Sequence, residues 1–177
     1  MTLHHIYGFP YIPASSVKGV VRSWIVMSYF YEEKTNKEAS HKERVKEAES
    51  LAEKCEVFRN IFGTQDQQSR AIFFDAFPLS APKIEVDIMN PHYPKWYDGT
   101  QPPTDFQSPV PIPFLTVANT PFQFLVGSRD EEILTENIGG QDEEGQPKTI
   151  SWWLKNALEN HGIGAKTAVG YGYMTAQ

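Results

Sequence analysis

The chain has 177 residues, a length that suits one domain with a sizeable hydrophobic core. Apolar residues make up 40% and charged residues 21%, which is typical of a globular protein and excludes a disordered one. Its net charge of −6 argues against a protein that coats nucleic acid without selectivity, and no apolar run approaches the roughly 20 residues of a membrane-spanning helix.

The N-terminal third is predicted to be helical. Prolines at 10 and 13 indicate an extended lead-in, after which Ser15 or Ser16 suits a helix N-cap. Apolar residues then recur at helical spacing over 17–31, and a second helical pattern covers 37–60. Cys55, the only cysteine, falls in that second pattern as a small core residue, so an internal disulfide is impossible.

Strands dominate the middle of the chain. Residues 71–78 read as a buried strand that a proline ends, and residues 83–89 alternate as a second strand. A long loop rich in proline and aromatic residues, 90–113, is of a length that is usually functional or disordered. Residues 114–118 and 122–127 then predict a hairpin around Asn-Thr-Pro.

The last third begins with an acidic surface loop, 129–148, which holds one predicted helical turn near Glu131. A helix over 151–160 and a final strand over 169–176 follow. Helices that accompany an antiparallel sheet in this order predict an α+β fold.

The few cations suggest a place for a polyanion. Residues 1–31 contain Lys18 and Arg22 and no acidic residue, and the four-residue spacing puts both on one face of the first helix. The hydroxyls of Ser15 and Ser16, with the free N–H groups and positive dipole of a helix start, suit a phosphate. Ordinary capping with two exposed bases is the alternative.

A glycine-rich loop follows the last helix. Four glycines between 162 and 172 surround Lys166, with no acidic residue among them. Such a turn lets backbone N–H groups at Gly164 and Thr167 approach a phosphate, for which Lys166 supplies charge. The loop is not a Walker motif, because the helix precedes the glycines, and a plain tight turn remains the other interpretation.

Other candidates for contact with a polyanion lie elsewhere. His92, Lys95 and Trp96 in the long loop combine rings with a base, which suits stacking on unpaired nucleobases or anchoring a protein subunit. Arg70, before the Phe-rich strand, is a weaker candidate for the same contact. No ligand spacing supports a zinc site, so we expect no metal and no cofactor.

Three segments resemble one family. Residues 8–19 (Gly-Phe-Pro-Tyr-Ile-Pro-Ala-Ser-Ser-Val-Lys-Gly) are similar to a signature of the RAMP superfamily of CRISPR-associated proteins, and residues 163–172 resemble its C-terminal glycine-rich loop. Residues 87–93 (Asp-Ile-Met-Asn-Pro-His-Tyr) resemble one branch, the sixth-numbered subunits of type III-B (Cmr) effector complexes.

The resemblance implies a single RAMP domain over 1–177 with a ferredoxin-like (RRM-like) fold and helical and loop insertions. It also implies a non-catalytic, RNA-binding structural subunit in antiviral defence, near the 3′ end of the guide RNA. Its partners would be guide (CRISPR) RNA, target RNA and the other effector subunits, in the cytoplasm and away from any membrane. The lack of a signal peptide pattern and of cysteine pairs agrees with a reducing compartment.

One departure from the family concerns the N-terminus. Family members carry a first strand before the Pro-Tyr-Ile-Pro stretch, whereas here only nine residues precede Pro10. We therefore expect the usual first strand to be lacking, and unpaired backbone groups to cost about 1–3 kcal/mol each. A partner chain, an exchanged strand or a homo-oligomer would supply it.

Two rival functions stay open. RAMP relatives that process guide precursors cut RNA without metal, often with histidine as general acid–base, and His4, His5, His92 and His161 are available for that role. A neutral structural histidine is the alternative at each position, since no Ser–His–carboxylate spacing supports chemistry. A pure assembly module that contacts only protein subunits is the second rival.

Overall fold

The structure is a computed structural model that describes residues 1–89, 99, 102 and 111–176. It divides into two compact units. The ribbon unit consists of Met1–Tyr11 and Phe77–Gln123, and the helical unit consists of Ile12–Ala76 and Phe124–Gln177. In the described part of the chain, no helix is long and apolar enough to cross a membrane. The single domain over 1–177 stays a prediction.

After two short N-terminal strands, helices and strands fall in separate runs along the chain, as expected for an α+β fold. The helices are α1 (Ala14–Ile25), α2 (His41–Lys54), α3 (Glu56–Phe62), α4 (Glu131–Thr135) and α5 (Ile150–Asn160), with a π-helical segment Val26–Lys34 and a 3₁₀ turn Thr167–Val169. The strands are β1 (Thr2–Leu3), β2 (Pro10–Tyr11), β3 (Ala71–Phe73), β4 (Phe77–Pro78), β5 (Lys83–Met89), β6 (Ile112–Ala118), β7 (Phe122–Gln123) and β8 (Val126–Ser128).

The first predicted helix is confirmed, but its predicted cap is wrong. Helix α1 buries one side chain per turn along a single face, namely Val17, Val21 and Ile25. The N-cap is Pro13 rather than Ser15 or Ser16, and no side chain of the cap bonds to the helix. Instead the Asp75 carboxylate, distant in sequence, accepts the Ala14 N–H at 2.7 Å, so tertiary structure replaces the local cap.

The second helical pattern forms two helices rather than one. Helix α2 begins at His41 because Ser40 and Glu43 make a capping box, in which each side chain accepts the other's backbone N–H. The backbone adopts an extended conformation at Cys55 (φ −72°, ψ 115°), which ends α2, and α3 starts at the next residue. Phe58, Ile61 and Phe62 of α3 then enter the core of the helical unit.

Most predicted strands exist, but the predicted hairpin is wrong. Strand β5 matches the prediction, and it pairs antiparallel with all of β6, Lys83 lying opposite Ala118. The predicted strand over 71–78 divides into β3 and β4, which pair with β8 and β7 respectively. Residues 122–127 therefore pair with β3 and β4, not with β6, because alternation marks a strand without choosing its neighbour.

The predicted final strand is also wrong. Residues 170–176 are irregular and follow the 3₁₀ turn. A strand needs a neighbour that accepts its N–H groups. This segment instead folds back on the end of α5, where Met174 N–H donates to the Leu158 carbonyl. The helical turn predicted near Glu131 is confirmed as α4.

The core lies in the helical unit. One apolar cluster joins the buried faces of α1, the π-helical segment, α2, α3, α4, α5 and β3. Helix α1 is held against α5 by a hydrogen bond from Trp24 Nε1 to Asn156 Oδ1 at 2.6 Å. This packing fixes the direction of α1, whose first turn borders the site described next.

Candidate nucleic-acid interface

A groove of about 450 Å³ opens in the helical unit at the start of α1. Three segments line it: the first turns of α1, the loop that connects α3 to β3, and β3 itself. Within the part of the chain that the structure describes, none of its lining residues is acidic. They are Ala14, Ser15, Lys18, Phe62, Gly63, Thr64, Gln67, Gln68, Ser69, Ala71, Ile72 and Phe73.

Lys18 supplies the charge of this groove. The side chain is half-buried, and partial burial lowers the pKa of its ammonium below the ordinary value. Among the described residues, no carboxylate forms an ion pair with it. A cation that has lost water without gaining a counter-ion favours an incoming anion more than an exposed lysine does.

The rim opposite Lys18 is held in place by its own backbone. Gly63 has φ +76°, and a Cβ there would lie 2.7 Å from the Ser69 nitrogen and 2.8 Å from the Gln67 oxygen. The Thr64 N–H donates to that Gln67 oxygen at 2.8 Å. The Gln67 side chain in turn donates to Asn60 Oδ1 at 3.0 Å. The rim is therefore ordered before any ligand arrives.

Sequence reasoning missed this rim. Thr64, Gln67, Gln68 and Ser69 were not among the predicted site residues, although they bring amides and hydroxyls to the groove. The available signal was a short polar run, 64–69, between the end of a buried helix and a Phe-rich strand. Amide and hydroxyl groups bond equally to phosphate oxygens and to base edges.

The predicted phosphate site at the helix start is only partly assembled. Ser15 lines the groove beside Lys18, whereas Ser16 does not, and the Ser16 N–H donates to the Pro13 carbonyl at 2.9 Å. The first N–H of α1, that of Ala14, already donates to the carboxylate of Asp75. Any anion in this groove must therefore rely on Lys18 and the polar rim rather than on the helix dipole alone.

Two other predicted cations already have acidic partners. Arg22 forms a two-pronged ion pair with Glu49, at 2.7 and 3.3 Å, and its guanidinium lies over the Phe58 ring. Arg70 pairs with Asp130 of the acidic stretch. Neither arginine lines the groove. Arg22 connects α1 to α2 through its ion pair with Glu49. Lys18, although it lies on the same helix, lines the groove instead.

The glycine-rich loop does not line the groove either. Lys166 adopts the left-handed conformation (φ 65°), and Thr167 begins the 3₁₀ turn. At Gly172, a Cβ would lie 2.2 Å from the Ile163 carbonyl oxygen. This position therefore needs glycine because two backbone segments of the chain lie very close together. Gly164 (φ +112°) has open space around it, which leaves its backbone accessible to a ligand.

The remaining candidates are scattered. His92, Lys95 and Trp96 lie outside the described residues. The His4 ring stacks on neighbouring rings, and His161 ends α5, 5.6 Å from the Trp24 ring. In the part of the chain that the structure describes, no three His, Cys, Asp or Glu side chains gather to hold a metal.

Known proteins resemble this chain over nearly its whole length. A model of the RAMP superfamily matches residues 1–175. The CRISPR system Cmr subunit Cmr6 of Pyrococcus furiosus is 38% identical over 210 residues, covering 94% of this chain and 58% of that protein. The Cmr6 subunit of Saccharolobus solfataricus is 29% identical over 165 residues, covering 92% and 43%. The chain thus spans about half the length of these relatives.

Two solved structures share the fold. The crystal structure of Cmr6 from Pyrococcus furiosus matches with a TM-score of 0.60 and 32% identity, covering 97% of this chain and 85% of that one. A chain in the cryo-EM structure of the type III-B Cmr-beta bound to cognate target RNA matches with a TM-score of 0.62 and 24% identity. That match covers 97% of this chain and 46% of the other, and it shows the fold alone.

Proposed function

Because the chain belongs to the RAMP superfamily, we propose that it is a structural subunit of a type III-B CRISPR effector complex that binds RNA without cutting it. Its ligands are guide RNA near the 3′ end and the paired target RNA, and its protein partners are the neighbouring effector subunits. The observation that carries this proposal is the likeness to Cmr6 subunits over more than nine-tenths of the chain.

The groove at the start of α1 is the proposed RNA contact. It joins the half-buried Lys18 to an ordered rim of amides and hydroxyls, and none of the described residues that line it is acidic. This chemistry suits a sugar–phosphate backbone, in which one cation neutralises a phosphate and neutral donors bond its oxygens. Lys166, Gly164 and Thr167 form a second proposed contact on the glycine-rich loop.

We also propose a ferredoxin-like framework. Helix α1, the antiparallel pair β3–β8 and helix α5 follow the order of the middle elements of a βαββαβ fold. In that fold the first strand lies between other strands and the last strand pairs with it. Residues 170–176 are irregular, and no described strand pairs with them, as expected for a last strand that has no neighbour among the described residues.

The nuclease alternative rests on histidines, and those that the structure describes make local contacts away from the groove of Lys18. His4 Nδ1 faces the N–H groups of Ile6 and Tyr7 at 3.4 Å, which engages that nitrogen in its own turn. His161 contacts Trp24. No described histidine lines the groove of Lys18. General acid–base chemistry needs a histidine within reach of the reacting atoms, so RNA retention is the better-supported role.

One titration separates the three functions. Fluorescence anisotropy of a labelled single-stranded RNA would be recorded at two salt concentrations in EDTA, followed by a denaturing gel. We expect salt-sensitive binding and intact RNA. Cleavage that is lost when one histidine is replaced would instead establish the nuclease, and the absence of RNA binding would favour the assembly module.

A charge-reversal pair tests the site itself. We expect Lys18→Glu combined with Lys166→Glu to abolish RNA binding while thermal unfolding remains cooperative. The matched control is Lys42→Glu with Lys46→Glu, which makes the same charge change on exposed positions of α2. Equal loss of affinity in both double variants would show that only net charge matters and would remove the proposed site.

A further inference from the structure

Three of the four polar side chains on the rim of the groove at the start of α1 already bond within the chain. Thr64 Oγ1 accepts the Gln67 N–H at 3.1 Å, and the Gln67 side chain donates to Asn60 Oδ1 at 3.0 Å. The Ser69 hydroxyl lies 2.6 Å from each of two backbone carbonyl oxygens. Gln68 is exposed, and among the described residues its side-chain amide has no hydrogen-bond partner. The rim therefore offers this one amide to a ligand.

Apolar side chains line the same groove. The rings of Phe62 and Phe73 stack with their centroids 5.9 Å apart, and both are buried. Ile72 lies between the buried Ala71 and Phe73, so it points away from the core, because successive side chains of a strand alternate. Its partner across the pair β3–β8 is Gly127, which has no side chain to cover it. Ile72 thus presents a fixed aliphatic surface to the groove.

A phosphate group alone does not account for this combination of side chains. A phosphate gains from Lys18 and loses hydration against an aliphatic surface. The volume of about 450 Å³ falls within the roughly 300–1,000 Å³ of sites that hold whole small molecules, which are lined by apolar side chains and a few polar groups. A nucleobase has a flat face that packs on apolar surface and an edge of donors and acceptors, and a glutamine amide carries both a donor and an acceptor. The groove therefore fits a base beside its phosphate.

We propose that this groove binds one unpaired nucleobase of the RNA. Ile72 packs against the face of the base, the Gln68 amide bonds to its edge, and Lys18 pairs with the phosphate next to it. This inference rests on the proposed function, because it takes the strand that supplies the base to be RNA bound by this chain. It adds a contact that depends on the base itself, whereas the proposed backbone contact depends on charge.

Two strands of equal charge separate a base contact from a phosphate contact. One is a short labelled single-stranded RNA of uridines, and the other has the same length and the same phosphates but lacks every base. Fluorescence anisotropy at several salt concentrations in EDTA gives the affinity and the salt slope for each strand. We expect the unsubstituted chain to bind the base-bearing strand about tenfold more tightly. The two salt slopes should be equal, because both strands offer the same phosphates.

Substitutions assign this preference to residues. Gln68→Leu and Ile72→Ser should each reduce it to about threefold or less and leave the affinity for the abasic strand unchanged, which also shows that these variants are folded. Lys18→Met should weaken the binding of both strands by the same factor and lower both salt slopes. Ile84→Ser is the matched control, because Ile84 is a strand residue of the ribbon unit with nearly the same exposure, 43% against 41% for Ile72. This control should keep the tenfold preference.

Equal affinity of the unsubstituted chain for both strands would overturn the inference and leave the proposed RNA contact standing. So would a preference that Gln68→Leu and Ile72→Ser both retain, or one that Ile84→Ser loses to the same extent. Uridine monophosphate that competes as strongly as the base-bearing strand would make a free nucleotide the ligand and would also overturn the inference. Binding of neither strand would instead refute the proposed function.

Discussion

Replacing Lys18 by methionine tests the RNA groove most directly. The substitution keeps the length of the side chain and removes its charge. Because burial lowers the pKa of Lys18, the folded state disfavours its charged form, and this cost applies at every pH below that lowered pKa. Lys18→Met should therefore unfold at the same temperature as the unsubstituted chain or slightly higher, so a loss of RNA affinity cannot be attributed to unfolding.

The expected loss follows from one charge-assisted contact. A hydrogen bond to a charged group is worth about 1.5–3 kcal/mol, which corresponds to roughly a 10- to 100-fold weaker affinity. Removing one phosphate contact should also reduce the slope of log K against log salt by about 0.7 for a single strand. Anisotropy titrations at several salt concentrations measure both quantities on the same samples.

Arg22→Met is the matched control, because it removes a cation from the same helix. Arg22 is engaged by Glu49, and a partly exposed pair of this kind contributes about 0–1 kcal/mol to stability. We expect its RNA affinity to stay within about threefold and its salt slope to stay unchanged. If Arg22→Met reduced the slope and Lys18→Met did not, the assignment of the groove would be refuted.

Three further predictions concern the stability of the helical unit. Gly172→Ala should lower the free energy of unfolding by about 2–4 kcal/mol, because its φ is +77° and the new Cβ would lie 2.2 Å from a carbonyl oxygen. Gly164→Ala, with open space around it, should cost only about 1 kcal/mol, and equal losses in urea titrations would contradict the close-approach argument. Asp75→Ala should lower the free energy of unfolding by about 1 kcal/mol, because it removes the carboxylate that caps α1. An unchanged urea midpoint would show that this cap does not stabilise the fold. The backbone N–H of Gln146 is the largest cause that holds the pKa of Asp142 below its ordinary value, so the carboxylate stabilises the fold above that value and loses its effect as pH falls through the lowered pKa. Asp142→Asn should therefore unfold at a lower temperature than the unsubstituted chain at neutral pH. If the difference between the two unfolding temperatures stayed constant down to strongly acidic pH, the link to the Asp142 carboxylate would be disproved.

Local patterns predicted the elements far better than their partners. Spacing alone predicts three elements, namely helix α5, strand β5 and the short helix α4. It does so because hydrophobic periodicity and helix capping depend on neighbouring residues in the sequence. The predicted hairpin failed because β6 pairs with the strand before it. The final strand failed because a strand exists only where another offers its edge.

The candidate site shows the same division. The sequence by itself indicated the mixed fold and the family, and it proposed Lys18 and Ser15 as site residues, because short motifs and charge distribution are properties of neighbouring residues. Only the tertiary structure decided that Arg22 pairs with Glu49 and that Asp75 caps α1. It also decided that the groove is completed by Thr64, Gln67, Gln68 and Ser69. Such pairings join residues far apart in the chain, and their energies depend on distance and burial, which no local pattern records.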